Sequence, residues 1–345
     1  MSMIARVSVA LPFFITVIAG DTYAIHQYDQ SGYKVRLLPP QCSHSARSIG
    51  YEIRIDQRPA YQADILLLEF QKVELKREKD GPRDPSPEFI LETSNSFIRR
   101  LRGVAQAPQA MELINLSNFR IEYFNDDGTP LAEERGLVRV RVKWEFAVEA
   151  FILDEPVWKA VNGLAHDFQL MPWDSLLLDA RYQLPNVGVA VLVAYSALEV
   201  MIERVLDQLA EDHVQPLSLW EWINERDREP TVENRFDVLL KLLTGSSLKD
   251  SASLWQSFKE LKQARNSFVH AGKAVIGKKR MPVSVEKAGE LVNAAKAITD
   301  FVLIHHPEHL RPKVHLPQKF QHKIDVLVPV VPLPEVPPVV QDNND

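Results

Sequence analysis

Cysteine is nearly absent from this 345-residue chain, which carries only Cys42. A single thiol excludes an intramolecular disulfide framework and a cysteine-based zinc site, and it is typical of a protein from a reducing compartment. The chain also lacks the GxGxxG and GxxxxGK[ST] loops that hold phosphates, which argues against a dinucleotide-binding or P-loop enzyme. No arrangement of side chains indicates a serine or cysteine nucleophile.

An excess of positive charge is missing as well. The chain has 40 Lys and Arg residues against 46 Asp and Glu, for a formal charge of -6. A protein of this charge does not bind nucleic acid over its whole surface, so any contact with phosphates must come from a local basic patch. The length and the proportion of hydrophobic residues, 46%, are those of a globular protein with about two domains.

No apolar run is long enough to predict a membrane domain. The most apolar helix candidate, 187–202, contains Gly188, Ser196 and Glu199, and it is shorter than the roughly 20 residues that a span requires. The N-terminal "MSMIARVSVALPFFITVIAG" has the length of a secretory signal, but its β-branched residues with interspersed polar ones favour a strand. We therefore expect a strand and a cytoplasmic protein, with a signal peptide as the alternative.

Residues 1–153 predict a β-rich domain. Short segments of period two, such as "YEIRID", "ILLLEFQKVEL" and "FRIEYF", alternate with turn residues. The segment "FRIEYFNDDGTPLAEERGLVRVRVKWEF" predicts a hairpin, since "NDDG" supplies residues that tolerate a positive φ. One inserted helix is expected at "PEFILETSNSFIRRLRGV".

Residues 154–306 change to a helical period in seven successive segments, which predicts an α-helical domain. The last part of the chain, 307–345, is rich in proline and valine, and we expect it to be extended or disordered. The predicted fold class is therefore α+β. His305, His306 and His309 are interpreted as histidines at a helix end rather than as metal ligands, because Pro307 interrupts the helix between them.

Two opposite charges fall within the apolar stripes of two predicted helices. In the helix that ends with "ELKQARNSFVHAG", Arg265 lies near the middle of a stripe formed by Leu254, Phe258, Leu261, Phe268 and Val269. Glu199 interrupts the stripe of the longest helix in the same way. Burial of a guanidinium is costly without an anion, so we expect Glu199 to face Arg265. This pair is either a structural ion pair that fixes the helix register or part of a functional site.

The neighbourhood of Arg265 favours a functional site. Asn266 and His270 lie one helical turn apart on the adjoining flank. Between Trp255 and Lys287 the chain has eight basic residues against two acidic ones. We predict a phosphate-binding surface that consists of Lys262, Lys273, Lys278, Lys279 and Arg280. A solvated basic loop without a ligand is the alternative.

These residues resemble a known superfamily. An "ALE" helix, a "RFDVLLKLL" helix and then "ARNSFVHAG" are similar to the HEPN superfamily (higher eukaryotes and prokaryotes nucleotide-binding domain), whose hallmark is an arginine and a histidine separated by four to six residues. Arg265, Asn266 and His270 match this motif. The resemblance covers roughly residues 174–306.

The resemblance implies a bundle of four to five helices that forms a homodimer, and a metal-independent endoribonuclease of a toxin or phage-defence type without a cofactor. His270 would then transfer a proton at the 2′-hydroxyl or the leaving oxygen, Arg265 would stabilise charge on the phosphate, and Asn266 would orient either group. RNA would be the partner, and the N-terminal domain, or a regulatory protein, would control the activity. The alternative is a non-catalytic module that binds RNA or nucleotides or mediates dimerisation.

Overall fold

The structure is a computed structural model that describes residues 3–42, 52–73, 85–116, 118–135, 151–211, 230–306 and 324–327. Its contacts divide the chain into two compact units. The first consists of Met1–Pro87, Asn115–Lys159 and Gln318–Asp345, and the second of Glu88–Ile114 and Ala160–Pro317. Elements of both types are present and the N-terminal part forms a sheet, so the prediction of mixed α and β structure is confirmed.

The first unit is built on a nine-stranded sheet. The strands are β1 (Met3–Ile18), β2 (His26–Gln30), β3 (Tyr33–Gln41), β4 (Glu52–Ile55), β5 (Arg58–Val73), β6 (Phe119–Asn125), β7 (Pro130–Arg135), β8 (Ile152–Leu153) and β11 (Ile324–Leu327). The main path of the sheet follows the order β11-β4-β5-β1-β6-β7, while β2 and β3 extend it beside β5, and β8 pairs with β1.

Strand β1 is the centre of this sheet and accounts for the apolar N-terminal sequence. It pairs antiparallel with both β5 and β6, with Val7 opposite Leu68 and Ile121. The odd-numbered residues from Met3 to Val9 are buried, whereas the even-numbered ones are partly exposed, as the period-two pattern requires. The strand that we expected at this position is therefore present.

The hairpin predicted around "NDDG" is confirmed over its described part. Strands β6 and β7 pair antiparallel, and Gly128 has a φ of 83° in the connecting turn. Residues 136–150, which we expected to continue the hairpin, lie outside the described residues. In the predicted tail, 307–345, only β11 is described, and it pairs with β4.

The second unit is mainly helical. Its elements are α1 (Pro87–Ala105), α2 (Glu155–Gly163), α3 (Pro172–Tyr182), α4 (Val187–Glu211), α5 (Val232–Asn234), a π-helical turn (Arg235–Leu239), α6 (Leu240–Thr244), a 3-10 turn (Leu248–Asp250), α7 (Ala252–Ala271), the hairpin strands β9 (Val275–Ile276) and β10 (Met281–Pro282), and α8 (Val285–Leu303). The boundary between the two units falls within α2, and Pro87 of α1 belongs to the first unit. The predicted helix "LSLWEWINER" lies outside the described residues.

Helix α1 belongs with the helical unit from Glu88 onward, whereas we had expected it as an insertion in the β-rich domain. Arg102 of α1 forms an ion pair with Asp179 of α3, and Ser96 donates a hydrogen bond to the carbonyl of His166. Local periodicity predicted the helix but carries no information on which unit it joins.

The core of the second unit surrounds α4. Tyr195 of α4 stacks on Phe258 of α7, with ring centroids 6.0 Å apart, and Phe236 of the π-helical turn lies 5.0 Å from the same ring. Near the start of α4, a Cβ at Gly188 would overlap the ring of Phe268, so α4 and α7 approach closely there. This packing fixes the position of α7. Among the helices that the structure describes, none is long and apolar enough to cross a membrane.

Candidate functional site

Helix α7 separates a buried face from a polar face. Phe258, Leu261 and Ala264 are buried in the core of the unit. Side chains spaced by three and four residues follow the opposite face: Lys259, Lys262, Gln263, Asn266, Ser267 and His270. The helix ends at Gly272, whose φ of 67° is the left-handed conformation typical of a glycine at this position.

The polar face of α7 borders an open cleft with a volume of about 540 Å³. Its lining residues are Glu233, Lys259, Lys262, Gln263, Asn266, Ser267, His270, Ala271, Val275 and Arg280. The cleft therefore combines a histidine and two amides with two lysines, an arginine and one carboxylate. His270 itself is exposed to solvent.

The basic segment that follows His270 forms a structured hairpin. Strands β9 and β10 pair antiparallel, and Arg280 N–H donates to the carbonyl of Gly277 at 3.1 Å across the turn. Lys278 and Lys279 lie at the exposed tip. The hairpin therefore presents three consecutive basic residues in a defined turn.

Two polar side chains of α7 hold this hairpin. Gln263 accepts a hydrogen bond from Gly277 N–H at 2.9 Å and donates from Nε2 to the carbonyl of the same glycine at 3.1 Å. Ser267 Oγ accepts from Val275 N–H at 2.9 Å and donates to the carbonyl of Ala264. Because these hydrogen bonds hold the hairpin against α7, they also determine where Arg280 lies relative to that helix.

Arg265 lies between the core and the cleft and is partly buried. Its guanidinium carbon lies 5.4 Å from the centre of the Tyr195 ring, and Nη1 donates a hydrogen bond to Oδ1 of Asn266 at 3.1 Å. Its Nε is buried and has no hydrogen-bond partner among the residues that the structure describes. The aromatic ring thus provides the electrostatic partner of the guanidinium in this structure.

The prediction of an ion pair between Glu199 and Arg265 is wrong, because the two side chains form no salt bridge. Both residues are among those that the structure describes, and no salt bridge joins them; Arg265 instead contacts Tyr195 and Asn266. Burial raises the pKa of the Tyr195 hydroxyl, the nearby Glu199 carboxylate raises it further, and Arg265 opposes this shift. Glu199 and Arg265 therefore both act on the Tyr195 hydroxyl, in opposite directions, although the two residues form no ion pair with each other.

The predicted apolar stripe of α7 also needs one correction. Val269 is 52% exposed, near the C-terminal end of the helix. Leu254 and Phe268 are partly buried, and Phe258 and Leu261 are fully buried as expected.

One acidic residue enters the cleft from a different part of the chain. Glu233 of α5 approaches Lys262, with 2.9 Å between Oε2 and Nζ. The only other cleft cations, Lys259 and Arg280, form no ion pair among the described residues. Of the acidic residues in the basic segment itself, Glu260 pairs with Lys287 at 3.2 Å and does not line the cleft.

The predicted site residues are thus partly brought together. Asn266, His270, Lys262 and Arg280 line one cleft, whereas Arg265 lies beside it. Lys273, Lys278 and Lys279 are exposed and are not among its lining residues.

Four further cleft residues were not predicted as site residues from the sequence: Lys259, Gln263, Ser267 and Glu233. The first three lie at helical spacing from Asn266 and His270, so extending the polar face of the same helix along its axis would have found them. Glu233 is separated from Lys262 by 29 positions in the printed sequence, and only the tertiary structure brings the two together.

The two described histidines at the end of α8, His305 and His306, contact other side chains of the helical unit. His306 is buried and hydrogen-bonded to Gln208 of α4, and the ring of His305 meets Phe301 edge-on. His309 lies outside the described residues. Among the described residues, no group of three or more His, Cys, Asp and Glu side chains is arranged to hold a metal ion.

The chain was compared with family models, curated proteins and solved structures, and none of the three comparisons found a significant match.

Proposed function

We propose that this protein is a HEPN-like endoribonuclease that cleaves RNA without a metal ion at the cleft beside α7. One observation carries the proposal: exposed His270 and Asn266 line the same open cleft as Lys262 and Arg280. A phosphodiester needs cations for its negative oxygens and a proton-transfer group for its reacting oxygens. This cleft supplies both.

The proposed reaction is an attack of the ribose 2′-oxygen on the adjacent phosphorus. The new P–O2′ bond forms as the bond from phosphorus to the 5′-oxygen of the next nucleotide breaks. The 2′-hydroxyl loses its proton and the departing 5′-oxygen gains one, and His270 serves one of these two transfers. The products are a 2′,3′-cyclic phosphate and a free 5′-hydroxyl.

The cations of the cleft have the complementary role. Arg280 and Lys259 are available for phosphate oxygens, and the planar fork of Arg280 suits two oxygens of one phosphate. Asn266 already accepts a hydrogen bond from Arg265. By rotating away from the Tyr195 ring into the cleft, Arg265 would add its charge to the same phosphate.

The resemblance to HEPN proteins further suggests that a second copy of the chain contributes a second histidine, and that the first unit regulates the activity. Both statements are analogies to the architecture of that superfamily.

A specific observation favours a second candidate function, RNA binding without cleavage. Arg265, the arginine of the motif, is not among the residues that line the cleft, and its guanidinium lies over Tyr195. A cleft that keeps the histidine and the lysines but not this arginine would still bind phosphates.

The two candidates are separated by incubating mixed RNA with the full-length protein in excess EDTA. We expect cleavage that leaves 2′,3′-cyclic phosphate ends, and a loss of about 100-fold or more in rate for His270→Ala, the range that a general acid or base contributes. Arg265→Ala should also lose activity. His166→Ala removes an exposed histidine outside the cleft and serves as the matched control.

Three results would count against the enzyme. Cleavage that survives in His270→Ala, or ends other than cyclic phosphates, contradicts the proposed chemistry. Intact RNA that is nevertheless bound by the wild-type protein, and less well by Lys262→Met, supports the binding module instead.

A further inference from the structure

The carboxylate of Glu233 has no role in the proposed reaction, although it lies in the same cleft as His270. Its position is well defined. Glu233 belongs to the first turn of α5, where the hydroxyl of Thr231 accepts a hydrogen bond from Asn234 N–H. The π-helical turn that follows buries Phe236 against Phe258 of α7, with ring centroids 5.0 Å apart.

Glu233 forms an ion pair with a cation that could otherwise bind a phosphate. Its Oε2 lies 2.9 Å from Nζ of Lys262, which lies one helical turn before Asn266 on the cleft face of α7. The two side chains keep 30% (Lys262) and 38% (Glu233) of their surface exposed, so a ligand in the cleft can reach them. A carboxylate and a phosphate oxygen are alternative acceptors for the same ammonium group.

From this geometry, and resting on the proposed function, we infer that Glu233 is a built-in competitor of the substrate: its carboxylate holds Lys262 until a phosphate group of bound RNA displaces it. The competition lowers the affinity of the cleft for anions in general.

This competition also selects among anions. A ligand with a single phosphate exchanges one partner of Lys262 for another and gains little. A polynucleotide places further phosphates beside Lys259 and Arg280, which have no competing carboxylate among the described residues. The cleft is therefore selective for oligonucleotides over mononucleotides.

The test measures binding separately from cleavage. A short fluorescent oligoribonucleotide with 2′-O-methyl groups has no attacking hydroxyl and stays intact, so its dissociation constant is measured by anisotropy at low ionic strength with the full-length protein. Glu233→Gln is expected to tighten binding by roughly threefold to tenfold, because an exposed ion pair of this kind and the loss of one repulsive charge together have effects of this size. A labelled mononucleotide should bind far more weakly than the oligonucleotide to the wild-type protein.

Glu290→Gln is the matched control. It removes the same charge and breaks a comparable exposed pair, Glu290 with Lys287 at 3.1 Å, outside the cleft, while Lys287 keeps Glu260. We expect it to change the dissociation constant by less than about twofold. A general effect of net charge would appear equally in both variants.

A double variant shows whether Lys262 carries the effect. Lys262→Met should weaken binding, and Glu233→Gln added to it should give no further gain, because the cation for which the two anions compete is gone. The inference is overturned if Glu233→Gln matches Glu290→Gln, if its gain persists beside Lys262→Met, or if neither wild type nor Glu233→Gln binds the oligonucleotide. Failure of the nuclease proposal is seen separately, as ordinary RNA that is bound but not cleaved.

Discussion

Arg265 illustrates how an arginine is accommodated in a mostly apolar helix stripe without a carboxylate. Its guanidinium lies over Tyr195, where the negative face of the ring offsets part of the lost hydration, and Nη1 bonds to Asn266. Its Nε is buried with no hydrogen-bond partner in the described part of the chain, which is unfavourable. The contribution of this residue to stability therefore comes from the packing of its aliphatic stem and from the ring contact.

The surroundings of Arg265 predict different effects for two substitutions. Arg265→Ala should lower the free energy of unfolding by about 1–2 kcal/mol, because it removes both the stem and the contact with Tyr195. Arg265→Met keeps most of the stem and removes the unsatisfied Nε, so it should cost less than about 1 kcal/mol. Both values come from denaturant unfolding at neutral pH. A loss of about 3 kcal/mol or more in both variants would instead reveal a buried ion pair in solution.

At this scale the sequence predicts side-chain direction but not contacts between helices. The helical period of α7 correctly placed Asn266 and His270 on the same face, since their relative direction depends on that period alone. Whether Glu199 can reach Arg265 depends on the axial offset between α4 and α7. That offset is determined by packing, including the approach of Phe268 to Gly188, and no single-helix pattern contains it.

At the scale of elements, the close approach of α4 and α7 determines where the cleft face of α7 is presented. Gly188 provides the space for the Phe268 ring two residues before His270. A side chain at this position would force α4 and α7 apart or displace the ring.

Gly188→Ala is therefore expected to destabilise the protein by about 1–3 kcal/mol, although alanine is the better helix former. Gly289→Ala is the matched control, because it lies inside α8 with only Leu184 at 4.0 Å from the added methyl group, and it should be neutral or stabilising by up to about 1 kcal/mol. Thermal and denaturant unfolding measure both. Stabilisation by both substitutions would show that α4 and α7 do not approach as closely as described.

The basic hairpin is the second element that determines the site. Gln263 bonds to both backbone groups of Gly277, and Ser267 bonds to Val275. Because these hydrogen bonds are exposed or half-buried, each should have a modest and local effect on the opening of the hairpin.

Amide hydrogen exchange can distinguish the attachment of the hairpin through Gln263 from its attachment through Ser267. In Gln263→Ala the Gly277 amide should exchange about fivefold faster, the effect of one hydrogen bond worth about 1 kcal/mol, whereas the Val275 amide should change by less than about twofold. Gln256→Ala removes a glutamine of the same helix that bonds to Glu260 outside the cleft, and should leave both amides unchanged. Equal acceleration of both amides in Gln263→Ala would contradict the separate attachment.

The regular elements were largely predictable, and the hairpin was not. Strands β1, β5 and β6 and helices α4, α7 and α8 are long enough for their periods to dominate local propensity. Strands β9 and β10 have two residues each, too few for any period to appear, and tertiary hydrogen bonds from α7 hold them. The basic charge of the segment was predictable, but its conformation was not.

At the scale of the whole molecule, the sequence predicted a β-rich part followed by a helical part. It did not predict that most of α1 belongs with the helical unit, because the contacts of Arg102 with Asp179 and of Ser96 with the carbonyl of His166 join residues far apart in the chain. The candidate site lies entirely in the second unit. We therefore expect binding and cleavage to depend on the helical unit and any regulation to come from elsewhere.

The most direct measurement of the proposed activity uses an oligonucleotide with one unmodified ribonucleotide in an otherwise 2′-O-methyl strand, incubated with the wild-type protein in excess EDTA. We predict a single cut on the 3′ side of that ribonucleotide, with a 2′,3′-cyclic phosphate on one product and a 5′-hydroxyl on the other, because only that 2′-hydroxyl can attack. Cuts at methylated positions, 5′-phosphate ends or an intact strand would contradict this prediction.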